Sequence, residues 1–238
     1  MGGLVLSVVI PVRNERDAFP KIFAKVLAVD VEKEIIIIDN CSTDGTAEML
    51  REIDHAGVRV LFQARDQGKG ASVRRGICEA RGDLVIIQDA DLEYDPEDYR
   101  KLLEIQRREN ADVVFGVRRP VDLWRQPPHF AAANLGLSLL FSLLYGQWVS
   151  DVATCYKLVR TEVLRFLDLR SSSFDLDFEI PAKLARSGCR IHQVPISYRP
   201  RTRAEGKKIR IGDGFRALAV LIHWRFAGPG KGRATPRP

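Results

Sequence analysis

Leu-Val-Ile-Ile-Gln-Asp-Ala-Asp, residues 84–91, is a run of four apolar strand formers that ends in two acids. The apolar run predicts a short buried strand, with the acids at its carboxyl end. Side chains two positions apart point to the same side, so the carboxylates of Asp89 and Asp91 are expected to lie together. Such oxygens suit Mg²⁺ or Mn²⁺, ions that share their ligation with a substrate diphosphate, and Glu93 offers a third oxygen. The alternative interpretation is a solvated acidic turn.

The chain on both sides of this stretch alternates between strand and helix patterns. Strands are predicted at 4–10, 34–38, 58–62 and 112–117, and helices at about 15–29, 43–53, 70–80 and 96–108. This alternation predicts an α/β fold with an open, mostly parallel sheet and helices on both faces. Ligands of such sheets bind outside the carboxyl ends of the strands, so the loops there are the candidate functional positions.

The second half of the chain is less regular. An apolar segment at 130–145 is shorter than the roughly 20 residues that span a bilayer. Its polar residues recur every four positions, at Asn134, Ser138 and Ser142, and so form one stripe on a helix. We therefore expect this helix to lie in an interface or to pack on the domain. Further elements are predicted at 154–159 (strand), 174–187 (helix) and 190–194 (strand). A last amphipathic segment carries on one side Phe215, Leu218, Ala219 and Ile222.

The 238 residues and their composition are those of a globular protein, and a single domain is predicted at 1–226. Its two halves are 1–120 and 121–226. The Gly-, Pro- and Arg-rich tail at 227–238 is predicted to be disordered. The net charge of +6, concentrated at 199–216, indicates an anionic partner. The four cysteines match no zinc pattern, and the amino terminus shows no signal peptide, so a cytoplasmic protein is expected.

Several residues at or after the ends of predicted strands are candidates for binding a nucleotide. Pro11, Asn14 and Glu15 follow the first strand, and Asp39 ends the second. Helix capping is the alternative interpretation of Asn14 and Glu15. Lys69, between two glycines, precedes a helix and is placed to meet a phosphate. The chain lacks both a complete P-loop and the G-x-G-x-x-G pattern, which argues against ATP hydrolysis and against a nicotinamide dehydrogenase.

Taken in order, these segments resemble the family 2 glycosyltransferases, and among them the branch that acts on dolichyl or polyprenyl phosphate with mannose or glucose. The resemblance extends to about residue 226. It rests on the segments 7–15 (SVVIPVRNE), 38–39 (ID), 68–70 (GKG), 88–96 (QDADLEYDP), 151–157 (DVATCYK) and 194–209 (VPISYRPRTRAEGKKI). It implies the GT-A fold, a Rossmann-like and mostly parallel sheet with helices on both faces, here with amphipathic interface helices at the carboxyl end. Asn40 departs from the family, which often has a second acid there.

The resemblance also implies that the half 1–120 binds the nucleotide-sugar and that the half 121–226 faces the acceptor and the membrane. It further implies a role for each matching residue. The donor, a GDP- or UDP-sugar, would be held by Pro11, Asn14, Glu15, Asp39, Lys69 and Asp89. The metal, Mg²⁺ or Mn²⁺, would be held by Asp89, Asp91 and Glu93. The acceptor or its phosphate would be bound by Arg118, Arg119, Arg201, Arg203, Lys207 and Lys208. The basic residues would also favour peripheral docking on the anionic cytoplasmic face of a membrane.

The function expected is inverting transfer of a hexose to polyprenyl phosphate. A phosphate acceptor is already an anion and needs no general base. A soluble transferase that acts on a saccharide or small-molecule hydroxyl is the first alternative, and Asp177 is then the best candidate for the base; an exposed first helical turn is the other interpretation of that acid. A non-catalytic nucleotide- or lipid-binding module is the second alternative. Nucleic acid is not expected as a partner, because no aromatic residues interleave the basic ones.

Overall fold

The computed structural model describes residues 4–123, 125–201 and 211–227. The strands are β1 (Leu6–Val12), β2 (Lys33–Asp39), β3 (Val58–Phe62), β4 (Leu84–Ile87), β5 (Val113–Arg118), β6 (Lys157–Arg160) and β7 (Ile191–Ile196). The helices are α1 (Phe19–Ala28), α2 (Thr46–Arg51), α3 (Lys69–Glu79), α4 (Tyr99–Glu109), α5 (Pro120–Leu123), α6 (Pro128–Tyr145), α7 (Thr161–Phe166), α8 (Leu176–Arg186) and α9 (Ile211–Phe226). A 3₁₀ turn at Pro96–Asp98 leads into α4.

The strands form one seven-stranded sheet in the order β3-β2-β1-β4-β6-β5-β7. The pairs β1–β2, β1–β4, β2–β3 and β5–β7 are parallel, whereas β6 runs antiparallel to both of its neighbours. The predicted mostly parallel α/β sheet is thus confirmed. β1 is buried along its whole length because it is paired on both sides and covered by helices. The carboxyl ends of β1, β2 and β4 therefore meet at one edge.

The strand predicted at 154–159 begins later, at Lys157. The preceding residues use their polar groups elsewhere: the Thr154 hydroxyl donates to the Gly116 carbonyl at 2.5 Å, and the Cys155 N–H donates to the Tyr94 hydroxyl at 3.0 Å. These bonds bend residues 151–156 across the sheet edge, toward the acids that follow β4.

Helix α6 carries the predicted polar stripe, but this stripe faces the protein. Asn134 and Ser138 are 7% and 2% exposed, whereas Leu135 and Leu143 are 61% and 74% exposed. The polar side of α6 faces inward because the backbone of the loop before β6 needs hydrogen-bond acceptors. The Ser138 hydroxyl accepts the Val152 N–H at 3.0 Å. The side of α6 that faces away from the protein is therefore leucine-rich.

Helix α9 packs beside α6 and shows the same arrangement. Ala217 and Leu221 face inward, and Phe215, Ile222 and Phe226 are exposed. The Tyr145 hydroxyl at the end of α6 donates to the Leu221 carbonyl at 2.7 Å and joins the two helices. Among the described residues, α6 alone is long and apolar enough to cross a membrane by length and composition.

Candidate active site

A cavity of about 620 Å³ opens at the carboxyl edge of the sheet. Its floor includes residues that follow β1, β2 and β4, and its far wall is formed by α6, α8 and α9. The floor is polar and carries Glu15, Lys69, Asp89, Asp91 and Asp177, whereas the far wall is largely apolar and carries Phe130, Ala133, Leu137, Phe178 and Ala217. One cavity thus joins two chemically different subsites.

Lys69 lies at the centre of the polar floor. Its ammonium group is 2.8 Å from Asp89 Oδ1 and 3.2 Å from Asp177 Oδ2. Burial opposes the charge, but Asp177 and Asp89 together raise the pKa of Lys69 well above its usual range, so it stays a cation. The predicted donor residue Lys69, the acid Asp89 and the candidate base Asp177 therefore form one charged cluster.

Asp91 belongs to a second charged cluster, which it forms with Arg201 and Glu15. Arg201 Nη2 lies 2.6 Å from Asp91 Oδ2, and the same guanidinium donates to both Glu15 oxygens at 3.1 and 3.2 Å. Burial raises the pKa of Asp91 to about 7, and the charges of Asp89 and Glu93 add to the effect. Arg201, predicted as an acceptor ligand, thus bridges Glu15 and Asp91, which were assigned to the donor side.

Glu93 accepts two hydrogen bonds from the segment that carries Arg201. The Arg201 N–H donates to Oε1 at 2.6 Å and the Tyr198 hydroxyl donates to Oε2 at 3.1 Å. Its role as a metal ligand stays a prediction.

The acidic floor has the chemistry that a hard divalent cation requires. Asp89 and Asp91 present carboxylate oxygens on one turn, and their mutual repulsion contributes to the raised pKa of Asp91, so added positive charge would be favourable. In the part of the chain that the structure describes, no three acidic, histidine or cysteine side chains converge as a complete metal site. The two carboxylates of Asp89 and Asp91 fit an ion that takes its remaining oxygens from a substrate.

Of the four residues predicted to hold the nucleoside, Pro11 and Glu15 line the cavity, whereas Asn14 and Asp39 do not. Asn14 ties two loops together, since its Oδ1 accepts the Thr43 N–H at 2.8 Å. Asp39 is 2% exposed, and its Oδ1 has no hydrogen-bond partner among the described residues.

Asn40 and Asp66 complete this end of the cavity, which both of them line. The Asn40 amide donates to Asp66 Oδ1 at 2.7 Å, and Arg13 forms an ion pair with the same carboxylate. At the position where the family often has a second acid, this chain thus has Asn40, whose amide positions the carboxylate of Asp66. Nothing in the local pattern around Asp66 indicated this role, because the contact joins two separate loops.

The glycines around Lys69 serve the chain's own packing. A Cβ on Gly70 would lie 2.7 Å from the Ser171 carbonyl oxygen, and one on Gly68, whose φ is +84°, would lie 2.3 Å from the Ser172 carbonyl oxygen. The loop before α8 therefore lies directly on the start of α3 and brings Asp177 to Lys69.

Arg118 lines the cavity and Arg119 does not. Arg118 donates two hydrogen bonds of 2.7 Å to Asp151, whereas the exposed Arg119 pairs with the buried Asp122. Arg203, Lys207 and Lys208 lie outside the described residues, as does the tail from residue 228 onward.

Asn134 is a cavity residue to which the sequence assigned no role. It is 93% buried and lines the cavity beside Arg118, and its Nδ2 has no partner within hydrogen-bond distance among the described residues. An amide donor and a guanidinium thus lie together where the polar floor meets the apolar wall. Its place in the inward polar stripe of α6 was the available signal.

The GT-A fold, the paired acids at the sheet edge and the polar cavity beside them agree with the class of glycosyltransferases. The chain belongs to glycosyl transferase family 2, whose family model matches residues 7–167. It is a glycosyltransferase, as the sequence predicted.

Three known proteins are similar to this chain. An uncharacterised glycosyltransferase of Mycobacterium tuberculosis is 29% identical, over 94% of this chain and 99% of its own. The undecaprenyl-phosphate mannosyltransferase of Micrococcus luteus is 28% identical, over 94% and 95%. The glucosyl-3-phosphoglycerate synthase of M. tuberculosis, solved with Mn²⁺, UDP and glucosyl-3-phosphoglycerate, has a TM-score of 0.65 at 22% identity, over 97% of this chain and 82% of that one. This last likeness concerns the fold.

Proposed function

We propose that this protein transfers a hexose, mannose or glucose, from a GDP- or UDP-sugar to a polyprenyl phosphate, with inversion at the sugar carbon. The observation that carries the proposal is the single cavity that joins the acidic floor to an apolar wall. A nucleotide-sugar needs the first surface, and a phosphate on an isoprenoid chain needs the second. The undecaprenyl-phosphate mannosyltransferase of M. luteus, similar over almost its whole length, supports this choice of acceptor.

On this proposal, Asp89 and Asp91 hold Mg²⁺ or Mn²⁺. The synthase that was solved with Mn²⁺ and UDP supports a divalent cation in this fold. When bound, the cation supplies positive charge that stabilises the leaving nucleoside diphosphate. Lys69, which stays charged, adds to the same stabilisation and fixes the orientation of Asp89.

The acceptor phosphate would bind between Arg118 and Asn134. Arg118 presents a guanidinium that donates two hydrogen bonds to Asp151 and is held by them in one orientation. Asn134 offers an amide hydrogen that has no acceptor among the described residues. A phosphate oxygen is the nucleophile and already carries negative charge, so the reaction needs no residue to take a proton.

The exposed apolar sides of α6 and α9 support peripheral docking on a membrane. Leu135, Leu139 and Leu143 of α6 and Phe215, Ile222 and Phe226 of α9 are exposed, and the opposite sides of these two helices line the cavity. A membrane at this surface would bring a lipid phosphate to the apolar wall. The net positive charge that the sequence carries at 199–216 would add electrostatic attraction to the anionic cytoplasmic leaflet.

A second candidate function is transfer to a hydroxyl group on a saccharide or other small molecule. The observation in its favour is Asp177, whose carboxylate lines the cavity and is able to act there as a general base. The alternative of a non-catalytic module is no longer needed, because the chain is a glycosyltransferase.

The decisive experiment measures release of nucleoside diphosphate from GDP-mannose and UDP-glucose in parallel. Each donor is incubated with Mn²⁺, Mg²⁺ or chelator, with and without farnesyl phosphate, and Asp91→Asn is the matched inactive control. The proposal expects metal-dependent release that requires the lipid phosphate and disappears in the variant. Equal release without lipid phosphate, or release that requires a soluble sugar instead, would contradict it.

A further inference from the structure

Four of the five tyrosines form a continuous ladder beneath the cavity. The ring centroids of Tyr99 and Tyr156 are 5.6 Å apart, those of Tyr156 and Tyr94 are 4.7 Å apart, and those of Tyr94 and Tyr198 are 5.2 Å apart. All four rings are at least nine-tenths buried. The ladder connects the loop after β4, the start of α4, the residue before β6 and the segment after β7, so it spans both halves of the predicted domain.

The inner end of the ladder holds the turn that carries the two acids. Tyr99 and Tyr156 both donate to Gln88 Oε1, at 2.5 and 2.6 Å, and Gln88 Nε2 in turn donates to the Asp89 carbonyl at 2.9 Å. Burial raises the pKa of both tyrosines well above the usual range, so their hydroxyls remain protonated donors. Gln88 is thereby held in one amide orientation.

The outer end, Tyr198, contacts both subsites at once. Its hydroxyl donates to Glu93 Oε2 at 3.1 Å, on the donor side. Its ring faces the Arg118 guanidinium, with 4.9 Å between the guanidinium carbon and the ring centroid, on the acceptor side. The backbone around it is fixed too, because Tyr198 pairs with Tyr94 in an isolated bridge and the Arg199 N–H donates to the Glu93 carbonyl at 2.8 Å.

We infer that Tyr198 is a positioning residue that sets the distance between the donor and acceptor subsites, through its hydroxyl on Glu93 and its ring under Arg118. The inference rests on the proposed function, since it takes Arg118 to be a ligand of the acceptor phosphate and Glu93 to be a ligand of the metal ion. The two contacts come from different parts of one side chain. They are therefore separable by substitution: Phe keeps the ring and loses the hydroxyl, and Leu loses both.

The test compares Tyr198→Phe and Tyr198→Leu with the wild-type chain and with Tyr145→Phe. The control removes a tyrosine hydroxyl that bonds to Leu221 and touches neither subsite. Calorimetry gives the Kd of farnesyl phosphate. Electron paramagnetic resonance of free Mn²⁺ gives the affinity for that ion in the presence of GDP or UDP. Thermal unfolding midpoints identify any variant that has lost its fold.

Tyr198→Phe is expected to weaken Mn²⁺ binding about 3- to 10-fold and to leave the Kd of farnesyl phosphate within about twofold, because one hydrogen bond to a carboxylate is lost and the ring remains. Tyr198→Leu is expected to weaken farnesyl phosphate binding as well, by about 3- to 10-fold, because the cation–π contact is lost. If both variants change the Kd of farnesyl phosphate equally, or if neither changes it, the inference is overturned. Binding of farnesyl phosphate by the wild-type chain would still support the proposed function. If the wild-type chain does not bind farnesyl phosphate, both fall. If the leucine variant unfolds, Tyr198→Phe alone tests the role of the hydroxyl contact with Glu93 in Mn²⁺ binding.

Discussion

At the scale of single residues, the site depends on a loop that the chain packs against its own glycines. Glu179 is fully buried and accepts the Arg170 and Ser171 N–H groups at 2.6–3.0 Å, while Lys183 balances its charge at 2.6 Å. This anchors the loop before α8 over Gly70. Because the same loop leads to Asp177, its packing and the geometry of the charged cluster are linked.

Gly70→Ala is therefore expected to destabilise the protein by about 1–3 kcal/mol, because the new Cβ would collide with backbone atoms of residues 171–173. Gly136→Ala is the matched control: nothing lies within 4 Å of a Cβ at that exposed helical position. The control should gain about 0.5–1 kcal/mol from helix propensity. Urea unfolding of both variants measures the two changes, and equal stability of the pair would contradict the packing argument.

Asp177→Asn distinguishes the two acceptor chemistries. With farnesyl phosphate, turnover should fall by less than about tenfold, since no proton has to be removed and only the ion pair with Lys69 is lost. A general base would cost about 10²–10⁴ in rate, so a loss of that size would favour a hydroxyl acceptor. Asp175→Asn is the control, because this neighbouring acid accepts the Ser173 N–H and does not line the cavity. Steady-state kcat for the three proteins gives the comparison.

At the scale of elements, α6 combines an inward polar stripe with an outward row of leucines. The stripe is satisfied by the loop before β6, through the Ser138 hydroxyl on the Val152 N–H and the Ser142 hydroxyl on the Val149 N–H. Turning the helix over would leave these backbone donors unpaired, which costs more than exposing leucine to water. The exposed row is thus a consequence of hydrogen bonding within the fold and gives the protein an apolar surface.

Leu139→Glu and Leu143→Glu are expected to reduce binding to vesicles that contain anionic lipid by about tenfold or more, because each variant places a charge where a leucine would enter the interface. Stability should stay within about 0.5 kcal/mol, since both side chains are largely exposed. Phe166→Glu, at an exposed apolar position on α7, is the control and should bind like the wild type. Flotation assays give the bound fraction. Undiminished binding of both leucine variants would rule out this surface as the docking site.

At the scale of the whole molecule, the cavity is built by segments from both halves of the chain. Residues after β1, β2 and β4 supply its floor, α6 and α8 supply the apolar wall, and Arg201 crosses from the segment after β7 to Asp91. A ligand that bridges these segments has few equivalent contacts in the unfolded chain. Binding should therefore stabilise the whole protein.

Mn²⁺ together with the nucleoside diphosphate of the true donor is expected to raise the unfolding midpoint by about 5–10 °C at 100 times the Kd. A ligand that binds only the folded state at 100 times its Kd raises the free energy of unfolding by about 2.7 kcal/mol, which in a chain of this size corresponds to that shift. Chelator should remove most of the shift, and Asp91→Asn should lack it. Differential scanning calorimetry measures the midpoints. A full shift in the presence of chelator would show that the nucleotide binds without a metal.

The local pattern of the sequence determined the order of strands and helices and the position of Asp89 and Asp91 at the end of a buried strand, because burial and strand periodicity act between neighbouring residues. The same reasoning placed Lys69 before a helix and Asp177 in the first turn of another, and the family resemblance added Arg118. It also recognised the polar stripe of α6, since helical periodicity is visible in any apolar segment.

The tertiary structure alone decided which of these residues touch. Lys69 meets Asp177 across 108 positions and Asp91 meets Arg201 across 110, and no local pattern encodes such pairs. It also decided that the stripe of α6 faces inward, because the donors it satisfies belong to a loop formed elsewhere in the chain. Tyr198 and Asn134 acquire their places in the cavity for the same reason: their surroundings are assembled only when the sheet edge, α6 and the segment after β7 come together.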